Sequence, residues 1–505
     1  MTLPRRLFSS FSKSSSHQYI TTPIFYVNAR PHLGHVYSTV IADSLARFHR
    51  LRDGASRVHF VTGTDEHGNK VSQTFQDAFR NVEIHPDVFV RTTSLEHHRA
   101  VEKLWNTLLK RGHLYLGHHE GWYCKSDECF VAAGQVVHLD NGSVVTRESG
   151  KPVEWLSETN YKFRLSQFTD QIRAWLQQEP CPIQPAAYRQ ELLALLDQGL
   201  QDLSVSRLAG QASWGIPVPN DPDHTIYVWL DALTNYLTAI GYPDSLPFWP
   251  PTTQIIGKDI LRFHAIYWPA LLLAAGLALP KSIVVHAHWI VDGGKMSKSV
   301  GNVICPNWLS SELGGSDALR YFLLRHSSIE HDASFNLNQA WSLVNRDLAD
   351  QLGNLYSRSI ALLRSPYDEN AISSACSNLL CTDLSIDEIW KSLPEKVDSS
   401  FSSVKFNLGL RCIADMIHHA NCWFQSRKPW LEEDQNARFV TVVHALNCCR
   451  LAALLMQPVT PNLSTRILDH MRVPNDKRSM SFDDVSRWSG PGPIPGQKFS
   501  FFKRL

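Results

Sequence analysis

The first regular part of the sequence constrains the fold most strongly, because strand and helix patterns alternate there at short spacing. Residues 19–27 are rich in β-branched and aromatic side chains and predict a buried strand, and residues 35–51 follow with a helical pattern. A second strand is predicted over residues 58–62. Strand, turn, helix and strand in this order open a doubly wound α/β sheet.

The turn between the first strand and its helix carries a candidate phosphate site, formed by His32, Gly34 and His35. A helix N-terminus offers unpaired N–H groups and a partial positive charge, and histidines placed there can add donors to phosphate oxygens. Gly34 leaves room for a nucleotide to lie against the backbone. Two histidines three residues apart also occur by chance on protein surfaces, so this motif alone is a weak indication.

A second candidate is the glycine-flanked loop that contains Lys295 and Lys298 within the sequence KMSKS. Two lysines on such a loop can close over a triphosphate and neutralise the charge that builds up on departing pyrophosphate. A solvated basic loop would be the simpler explanation if this were the only motif.

In this order, and about 260 residues apart, the two motifs resemble the two signatures of class I aminoacyl-tRNA synthetases. The resemblance implies a chain of the α/β class, with a Rossmann-like doubly wound parallel sheet, an inserted connective-peptide domain and a following all-α anticodon-binding helical bundle. The expected boundaries are 18–115 and 226–335 for the two halves of the catalytic domain, 116–225 for the insert and 336–505 for the bundle.

The segments between the motifs are similar to methionyl-tRNA synthetases, namely residues 21–28, 62–68, 227–232 and 256–259. Isoleucyl, leucyl and valyl enzymes resemble the same core but carry a large editing insertion, for which 505 residues leave no room. The resemblance implies a chain that ligates L-methionine to tRNA(Met) through methionyl-adenylate, releasing AMP and pyrophosphate.

A thioether is long, apolar and polarizable, so its pocket should be aromatic with a polar group near the sulfur. By resemblance, His264 faces the sulfur, Asp65 pairs with the substrate ammonium, and Arg207 holds that carboxylate in place. Leu233 stands where some relatives carry proline. The implied pocket residues are Ile24, Tyr26, Trp229, Ala232, Leu233, Tyr236, Phe263 and Trp268. Each aromatic residue could instead be ordinary core, as Phe263 and Trp268 would be if taken singly.

For ATP, the resemblance implies that Gly257 and Asp259 approach the adenosine, with Asp259 accepting hydrogen bonds from ribose hydroxyls. His32, Gly34 and His35 would contact the phosphates, while Lys295 and Lys298 close from the opposite side. The expected reaction is in-line attack by the methionine carboxylate on the α-phosphate, with Mg²⁺ as the charge partner of ATP and no protein nucleophile.

In the C-terminal region, Asn354 and Arg358 lie four residues apart and therefore on one helix face. By resemblance they hydrogen-bond the exposed base edges of the anticodon, and Trp430, in a segment expected to begin a helix, offers a stacking plane. Trp430 as buried filler is the alternative. The resemblance also implies a monomer, since the chain stops soon after these helices.

Charge, apolar runs and cysteine spacing limit the kinds of RNA, membrane and metal site that the chain can form. A formal net charge of +1 means that any RNA site is local rather than a broad basic field. The longest apolar run, residues 267–279, is short of the roughly 20 residues of a membrane span and predicts a buried helix. Cys124 and Cys129 form a single local pair, whereas a zinc knuckle needs two pairs, so no structural zinc is expected.

The N-terminal residues 1–17 predict a mitochondrial transit peptide, and hence a location in the mitochondrial matrix. Arg5, Arg6 and Lys13 lie among serines, and no acidic residue precedes Asp43. An ordinary disordered tail is the alternative.

Two other functions were open from the sequence. One is a non-catalytic RNA-binding paralogue, which the intact His32, His35, Lys295 and Lys298 argue against. The other is a free-standing nucleotidylyltransferase, which would have no reason to carry a helical anticodon domain.

Overall fold

The structure is a computed structural model that describes residues 17–505. Within this range, the description does not include residues 28–29, 67–71, 125–128, 132, 140–141, 148–149, 210–214, 292, 297–300, 364–370, 372–374, 376–383, 487, 489, 495–498, 500, 501 and 503. The predicted transit peptide, apart from residue 17, and Lys298 therefore lie outside the described residues, as does the side chain of Lys295.

The first half of the catalytic region alternates strands and helices as expected. Its elements are β1 (Gln18–Tyr26), α1 (Leu33–Asp53), β2 (Val58–Asp65), α2 (Ser72–Arg80), β3 (Val88–Arg91) and α3 (Leu95–Lys110).

The middle of the chain is mostly antiparallel. Its elements are β4 (Leu114–Cys124), β5 (Cys129–Val131), β6 (Val136–His138), β7 (Val144–Thr146), β8 (Glu154–Phe163), α4 (Thr169–Leu176), β9 (Ile183–Gln184), α5 (Ala187–Asp197), β10 (Leu203–Ser204), β11 (Ser206–Leu208), β12 (Pro217–Val218) and β13 (Asp221–Ile226).

The second half of the catalytic region returns to strand–helix alternation. Its elements are α6 (Val228–Thr238), β14 (Thr253–Gly257), a π-helical turn (Phe263–Tyr267) that leads into α7 (Trp268–Ala275), β15 (Ile283–His286), β16 (Trp289–Val291), β17 (Gly294–Lys295), α8 (Pro306–Glu312), α9 (Ser316–His326) and β18 (Ala333–Ser334).

The C-terminal region is helical. Its elements are α10 (Leu337–Val344), a π-helical stretch (Asn345–Gly353) that leads into α11 (Asn354–Leu362), α12 (Leu384–Ser402), α13 (Phe406–Arg427), α14 (Gln435–Met456), α15 (Pro461–His470) and α16 (Phe482–Ser486). Helix α12 follows a part of the chain, residues 376–383, that lies outside the described residues.

The central sheet has the strand order β3-β2-β1-β14-β15-β9, and all of its pairings are parallel. Strand β1 pairs with β2 on one side and with β14 on the other. The chain therefore adds strands in opposite directions on the two sides of β1. Ligands bind at such a switch point, beyond the carboxyl ends of the strands. The register of β1 shifts between Thr21 and Ile24, and such an irregularity re-aims the side chains next to it.

Strand β9 corrects the predicted boundaries of the insert. It lies within residues 116–225, yet it pairs with β15 at the edge of the central sheet. Ile172 and Leu192, on the helices that flank β9, belong to the same buried cluster as Leu230 and Ile256 of the catalytic region. The antiparallel part, built on the long β4–β8 pairing, is therefore only a portion of the predicted insert.

The helical region shares its core with the first half of the catalytic region. One buried cluster contains Val36 and Leu45 of α1, Leu319 of α9 and Leu446 of α14. Among the described helices, only α14 is long and apolar enough to cross a membrane, and 89% of its most apolar stretch is buried inside the fold. A core helix of a bundle has the same composition.

Candidate active site

Helix α1 begins with two histidines that satisfy its first backbone donors. Gly34 N–H donates to His32 Nδ1 and His32 N–H donates to His35 Nδ1, both at 3.1 Å. The two imidazole rings stack with their centroids 3.7 Å apart. Because each Nδ1 accepts a hydrogen bond, the neutral ring must carry its proton on Nε2. Each histidine can therefore offer a neutral N–H donor beside the helix N-terminus.

Gly34 is required at this position by the close approach of the His32 ring. A Cβ atom on Gly34 would lie 2.9 Å from Cε1 and 3.1 Å from Nδ1 of His32. Contacts this short would displace the ring, so a side chain here would misalign the pair of histidines.

The lysine loop lies next to the start of α1. Met296, within the KMSKS sequence, is 6% exposed, and its Cε lies 3.9 Å from the position of a Cβ built on Gly34. Leu33 N–H donates to the carbonyl of Ile304 at 3.1 Å, just beyond the loop. The backbone of Lys295 lies in β17, which pairs with β16. The two motifs, far apart in the sequence, thus border one site.

A cavity of about 510 Å³ opens at the carboxyl ends of β1, β2 and β14. It is lined by thirteen of the residues expected from the sequence: Ile24, Tyr26, His32, Gly34, His35, Asp65, Trp229, Ala232, Leu233, Tyr236, Gly257, Asp259 and His264.

Three expected pocket residues do not line this cavity. Phe263 stacks on Trp229 with centroids 3.5 Å apart, and Trp268 is fully buried against Tyr236 at 5.8 Å. Both therefore pack against residues that line the cavity, and their expected role in the methionine pocket stays a prediction. Their positions follow from the π-helical turn, which begins at Phe263 and ends just before Trp268.

Arg207 also lies outside the wall. Its Nη1 donates to the carbonyl of Ser206 at 2.8 Å and lies 3.8 Å from Glu158 Oε1, and its guanidinium stacks over Tyr227 at 4.6 Å. The expected contact of Arg207 with Asp65 stays a prediction.

His264 is held as a neutral acceptor beneath Tyr236. Burial, opposed by the hydrogen bond to the Ile260 carbonyl, lowers the pKa of His264 to about 4. Its Nδ1–H donates to Ile260 O at 2.9 Å, so Nε2 accepts from the Tyr236 hydroxyl at 2.7 Å. Both ring nitrogens of His264 are thereby engaged. Tyr236 and His264 both line the cavity, and the hydrogen bond between them fixes the orientation of both side chains.

Asp65 ends β2 as a nearly buried carboxylate at the cavity. It is 6% exposed, and Oδ1 accepts from the Thr92 hydroxyl at 3.1 Å. The adjacent Glu66 points elsewhere and pairs with Arg91 at 2.8 Å. Burial opposes ionisation of Glu66, but hydrogen bonds from Arg91 and three hydroxyl groups outweigh it and lower its pKa to about 2. Of these two acids only Asp65 lines the cavity and can meet an ammonium group.

Helix α6 carries much of the aromatic wall and is anchored by a buried pair. His97 Nε2 of α3 lies 2.6 Å from Asp231 Oδ1, and both side chains are almost fully buried. His97 Nδ1 is 2.9 Å from the hydroxyl of Thr238, so it contacts both ends of α6. Sequence reasoning missed this pair, because the two residues are 134 positions apart and neither lies in a recognisable motif.

The opposite end of the cavity is polar. Asp259 is 43% exposed and lies 3.3 Å from His288 Nε2. His286, whose pKa burial lowers to about 4, lies 2.6 Å from the Ser38 hydroxyl on α1. A Cβ atom on Gly257 would lie only 2.6 Å from Asp259 Oδ1. The absence of a side chain at Gly257 therefore allows the Asp259 carboxylate to lie close to the backbone there. Ser38, His286 and His288 line the cavity and were missed from the sequence.

Lys151 also lines the cavity, although it belongs to the segment between β7 and β8. No local signal in the sequence pointed to it. It is the only lysine or arginine among the described lining residues.

The expected anticodon residues lie on the exposed surface of the helical region. Arg358 stacks over Trp430 at 5.1 Å and donates to Gln425 Oε1 at 2.8 Å. Trp430 is 39% exposed, which excludes the alternative of buried filler. It does not begin a helix as expected, because it lies between α13, which ends at Arg427, and α14, which begins at Gln435.

Asn354 is exposed one turn before Arg358. It lines a second cavity of about 270 Å³ together with Asp350 and Arg504.

In the antiparallel region, Cys124 and Cys129 are opposite each other in the backbone register of the β4–β5 pairing. Among the described residues, no three histidine, cysteine or acidic side chains are grouped as metal ligands. The prediction of no structural zinc stays a prediction, since residues 125–128 between the two cysteines are outside the described part.

Comparison with known proteins identifies the class to which the chain belongs. The family described as tRNA synthetases class I (M) matches residues 18–139 and 137–360. The chain therefore belongs to the class I aminoacyl-tRNA synthetases, as the parallel sheet and the two motifs indicated.

The relatives narrow this to one family. The mitochondrial methionine–tRNA ligase of Bos taurus is 41% identical over 96% of this chain and 89% of its own length. The methionine–tRNA ligase of Mycobacterium leprae is 39% identical over 94% of this chain and 93% of its own. Methionyl-tRNA synthetase of Mycobacterium tuberculosis, solved with methionyl-adenylate, matches with a TM-score of 0.87 and 37% identity over 97% of this chain and all of that one. The chain is a member of the methionyl-tRNA synthetase family.

Proposed function

We propose that this chain ligates L-methionine to tRNA(Met) at the expense of ATP, through methionyl-adenylate and with release of AMP and pyrophosphate. One observation carries the proposal. A single cavity joins the histidines at the start of α1 and Met296 of the lysine loop to an aromatic slot with a buried hydroxyl–imidazole pair.

The slot suits methionine. Trp229, Ala232, Leu233 and Tyr236 offer an apolar wall, to which Ile24 and Tyr26 of β1 are added. Asp65 pairs with the α-ammonium group of the substrate. Arg207, Phe263 and Trp268 act from behind this wall, by holding the carboxylate and the aromatic side chains in position.

The polar end suits ATP, taken as its Mg²⁺ complex. Gly257 and Asp259 receive the adenosine, and Asp259 accepts from the ribose hydroxyls. The α1 N-terminus, with Gly34 and the Nε2–H groups of His32 and His35, contacts the phosphates. Neutral donors stabilise the added negative charge of the transition state without requiring a proton transfer.

Activation then needs positioning rather than a protein nucleophile. The methionine carboxylate attacks the α-phosphate in line, and Lys295 and Lys298 stabilise the departing pyrophosphate from the other side. In the second step, the 2′-hydroxyl of the terminal nucleotide of tRNA attacks the adenylate carbonyl. Asn354, Arg358 and Trp430 read the anticodon at the far end of the same tRNA.

The setting of the reaction completes the proposal. The relatives named as mitochondrial ligases, together with the Arg- and Ser-rich residues 1–17, favour protein synthesis in the mitochondrial matrix. We propose a monomer that binds no structural zinc and is not inserted in a membrane. The domain boundaries of the sequence prediction are retained, except that β9 is assigned to the catalytic sheet.

Two assays on one preparation test the function. Methionine-dependent ATP–pyrophosphate exchange reports adenylate formation, and charging of tRNA(Met) reports transfer. Exchange without charging would favour the nucleotidylyltransferase alternative, and the absence of both would favour a non-catalytic RNA-binding protein.

A further inference from the structure

The turn between β3 and α3 holds a buried threonine beside the carboxylate that ends β2. Thr92 is fully buried and directly follows β3. The pairing of β2 with β3 reaches Thr64 and Arg91, and Thr92 N–H donates to the carbonyl of Thr64 at 3.3 Å. The backbone that carries the Thr92 side chain is therefore fixed to β2, in which Asp65 is the next residue.

The hydroxyl group of Thr92 has a defined donor on one side and a defined acceptor on the other. Its Oγ1 accepts from the backbone N–H of Glu66 at 3.0 Å and donates to Asp65 Oδ1 at 3.1 Å. A hydroxyl has a single hydrogen, and a backbone N–H can only donate, so the hydrogen of Thr92 must point to the carboxylate. A β-branched side chain is also restricted at χ1. The direction of this donor is thus set by the backbone of Glu66 and of Thr92 itself.

Two adjacent threonines contact two adjacent acids. Thr93 Oγ1 donates to Glu66 Oε2 at 2.9 Å, whereas Thr92 donates to Asp65. Thr93 is exposed, and Glu66 is paired with Arg91. Asp65 lines the cavity, while neither threonine does. Thr92 therefore acts on a ligand in the cavity through Asp65, and Thr93 offers a comparison that leaves the Asp65 contact intact.

Resting on the function proposed above, we propose that Thr92 is a positioning residue for the substrate ammonium group and acts by fixing the Asp65 carboxylate. A carboxylate has about four acceptor sites, so Asp65 can accept from the Thr92 hydroxyl and from an ammonium group at the same time. Without this hydroxyl, Asp65 loses one of the contacts that hold its orientation. The entropy of ordering the carboxylate then offsets part of the binding energy of the ammonium group.

The same turn also relates the ammonium site to the aromatic wall. Ser94 is the N-cap of α3, and its hydroxyl accepts from His97 N–H at 3.2 Å. His97 in turn contacts Asp231 of α6, the helix that carries much of the apolar slot. A ligand with an ammonium group and an apolar side chain thus meets two walls that are fixed from one segment of the chain.

Thr92→Val tests the proposal, because it removes the hydroxyl and keeps the branched shape. In methionine-dependent ATP–pyrophosphate exchange, it should raise the KM for methionine on the order of 10-fold, since hydrogen bonds to charged groups are among the stronger ones. The KM for ATP should stay within about 2-fold of the wild type. Thr92→Ser keeps the hydroxyl and should restore the KM for methionine. Thr93→Val is the matched control and should leave both KM values unchanged, because its hydroxyl contacts Glu66.

Two methionine analogues separate positioning of the ammonium group from a purely structural role. Methioninol keeps the ammonium group and lacks the carboxylate, whereas the desamino analogue keeps the carboxylate and lacks the ammonium group. As competitive inhibitors of exchange, methioninol should bind Thr92→Val on the order of 10-fold more weakly than the wild type, and the desamino analogue should bind both proteins alike. Equal losses for the two analogues would overturn the assignment, because they would mean that the whole slot is disturbed.

A double variant tests whether the effect passes through Asp65. When Asp65→Asn is already present, Thr92→Val should weaken methioninol binding no further. An additional loss equal to that in the single variant would assign Thr92 to another partner and contradict the proposal.

Stability is measured for every variant by denaturant titration, because Thr92→Val also deprives the N–H of Glu66 of its acceptor. Should Thr92→Val not fold, Thr92→Ala carries the same expectation, since it also lacks the hydroxyl. An unchanged KM for methionine in a folded variant would contradict the role of Thr92. A wild type without methionine-dependent exchange would refute the proposed function itself, which is a separate outcome.

Discussion

The hydrogen bond between Tyr236 and His264 should control the use of methionine far more than the use of ATP. The two atoms are 2.7 Å apart, and both side chains are almost fully buried. In Tyr236→Phe, His264 Nε2 loses its donor, and in His264→Ala the tyrosine hydroxyl loses its acceptor. An orphaned buried group costs about 1–3 kcal/mol. Because both residues line the cavity, a cost of this size should raise the KM for methionine roughly 5- to 150-fold.

The assay is ATP–pyrophosphate exchange with methionine and ATP varied separately. Each variant should leave the KM for ATP within about 2-fold of the wild type, and the double variant should cost less than the sum of the two single changes. Tyr321→Phe is the matched control, since it removes another buried tyrosine hydroxyl, which contacts Asp347 at 2.8 Å. Equal rises in both KM values, or the same rise in the control, would refute a role of the pair in the methionine pocket.

Three other changes test the remaining parts of the site. Trp430→Ala should leave exchange unchanged and raise the KM for tRNA on the order of 10-fold; a parallel loss of exchange would make Trp430 structural. Gly34→Ala should lower kcat of exchange by on the order of 10- to 100-fold, since the new Cβ would displace the His32 ring, and an unchanged kcat would contradict this. His264 and His286 have pKa values lowered by burial from 6.5 to about 4, so the unfolded chain binds more protons between these values. The free energy of unfolding should therefore fall as pH drops from 6.5 to 4, by up to about 3 kcal/mol per histidine, as denaturant titrations can measure.

Much of the catalytic region was predictable because its strands are apolar and its helices periodic. The first strand, predicted over 19–27, is observed as β1 (Gln18–Tyr26), and the strand predicted over 58–62 is observed as β2 (Val58–Asp65). Buried parallel strands are continuous apolar runs, which stand out in a sequence. The fold class is thereby confirmed.

The errors occur where tertiary contacts decide the structure. Strand β9 has two residues, too few for a pattern, and only its pairing with β15 makes it a strand of the central sheet. The π-helical turn at Phe263–Tyr267 reads as ordinary helix in the sequence. Phe263 begins this turn and packs against Trp229, and Trp268 follows the turn and packs against Tyr236. Helix α13 ends at Arg427, and the next residue, Lys428, adopts a left-handed conformation. The sequence does not indicate this conformation, although Pro429 follows.

Candidate site residues were found where a motif carried them and missed where distant segments meet. His32, Gly34 and His35 occupy consecutive positions with a recognisable physical role. Lys151 is brought to the cavity by a turn of the antiparallel region and has no neighbours in the sequence that indicate a ligand. A single lysine in a polar turn is ordinary, so only its position in the fold distinguishes it.

Arg320 joins the helical region to the first helix of the catalytic region. The side chain is fully buried, and Nη2 lies 2.7 Å from Asp43 Oδ2 of α1, the helix that carries the active-site histidines. Nε donates to the carbonyl of Val459 at 2.8 Å, and Nη2 donates to that of Pro458 at 3.0 Å, in the turn between α14 and α15. A buried arginine is tolerated only where its donors are satisfied, so these partners must keep their positions together. One side chain thus fixes the helical region to the catalytic helix.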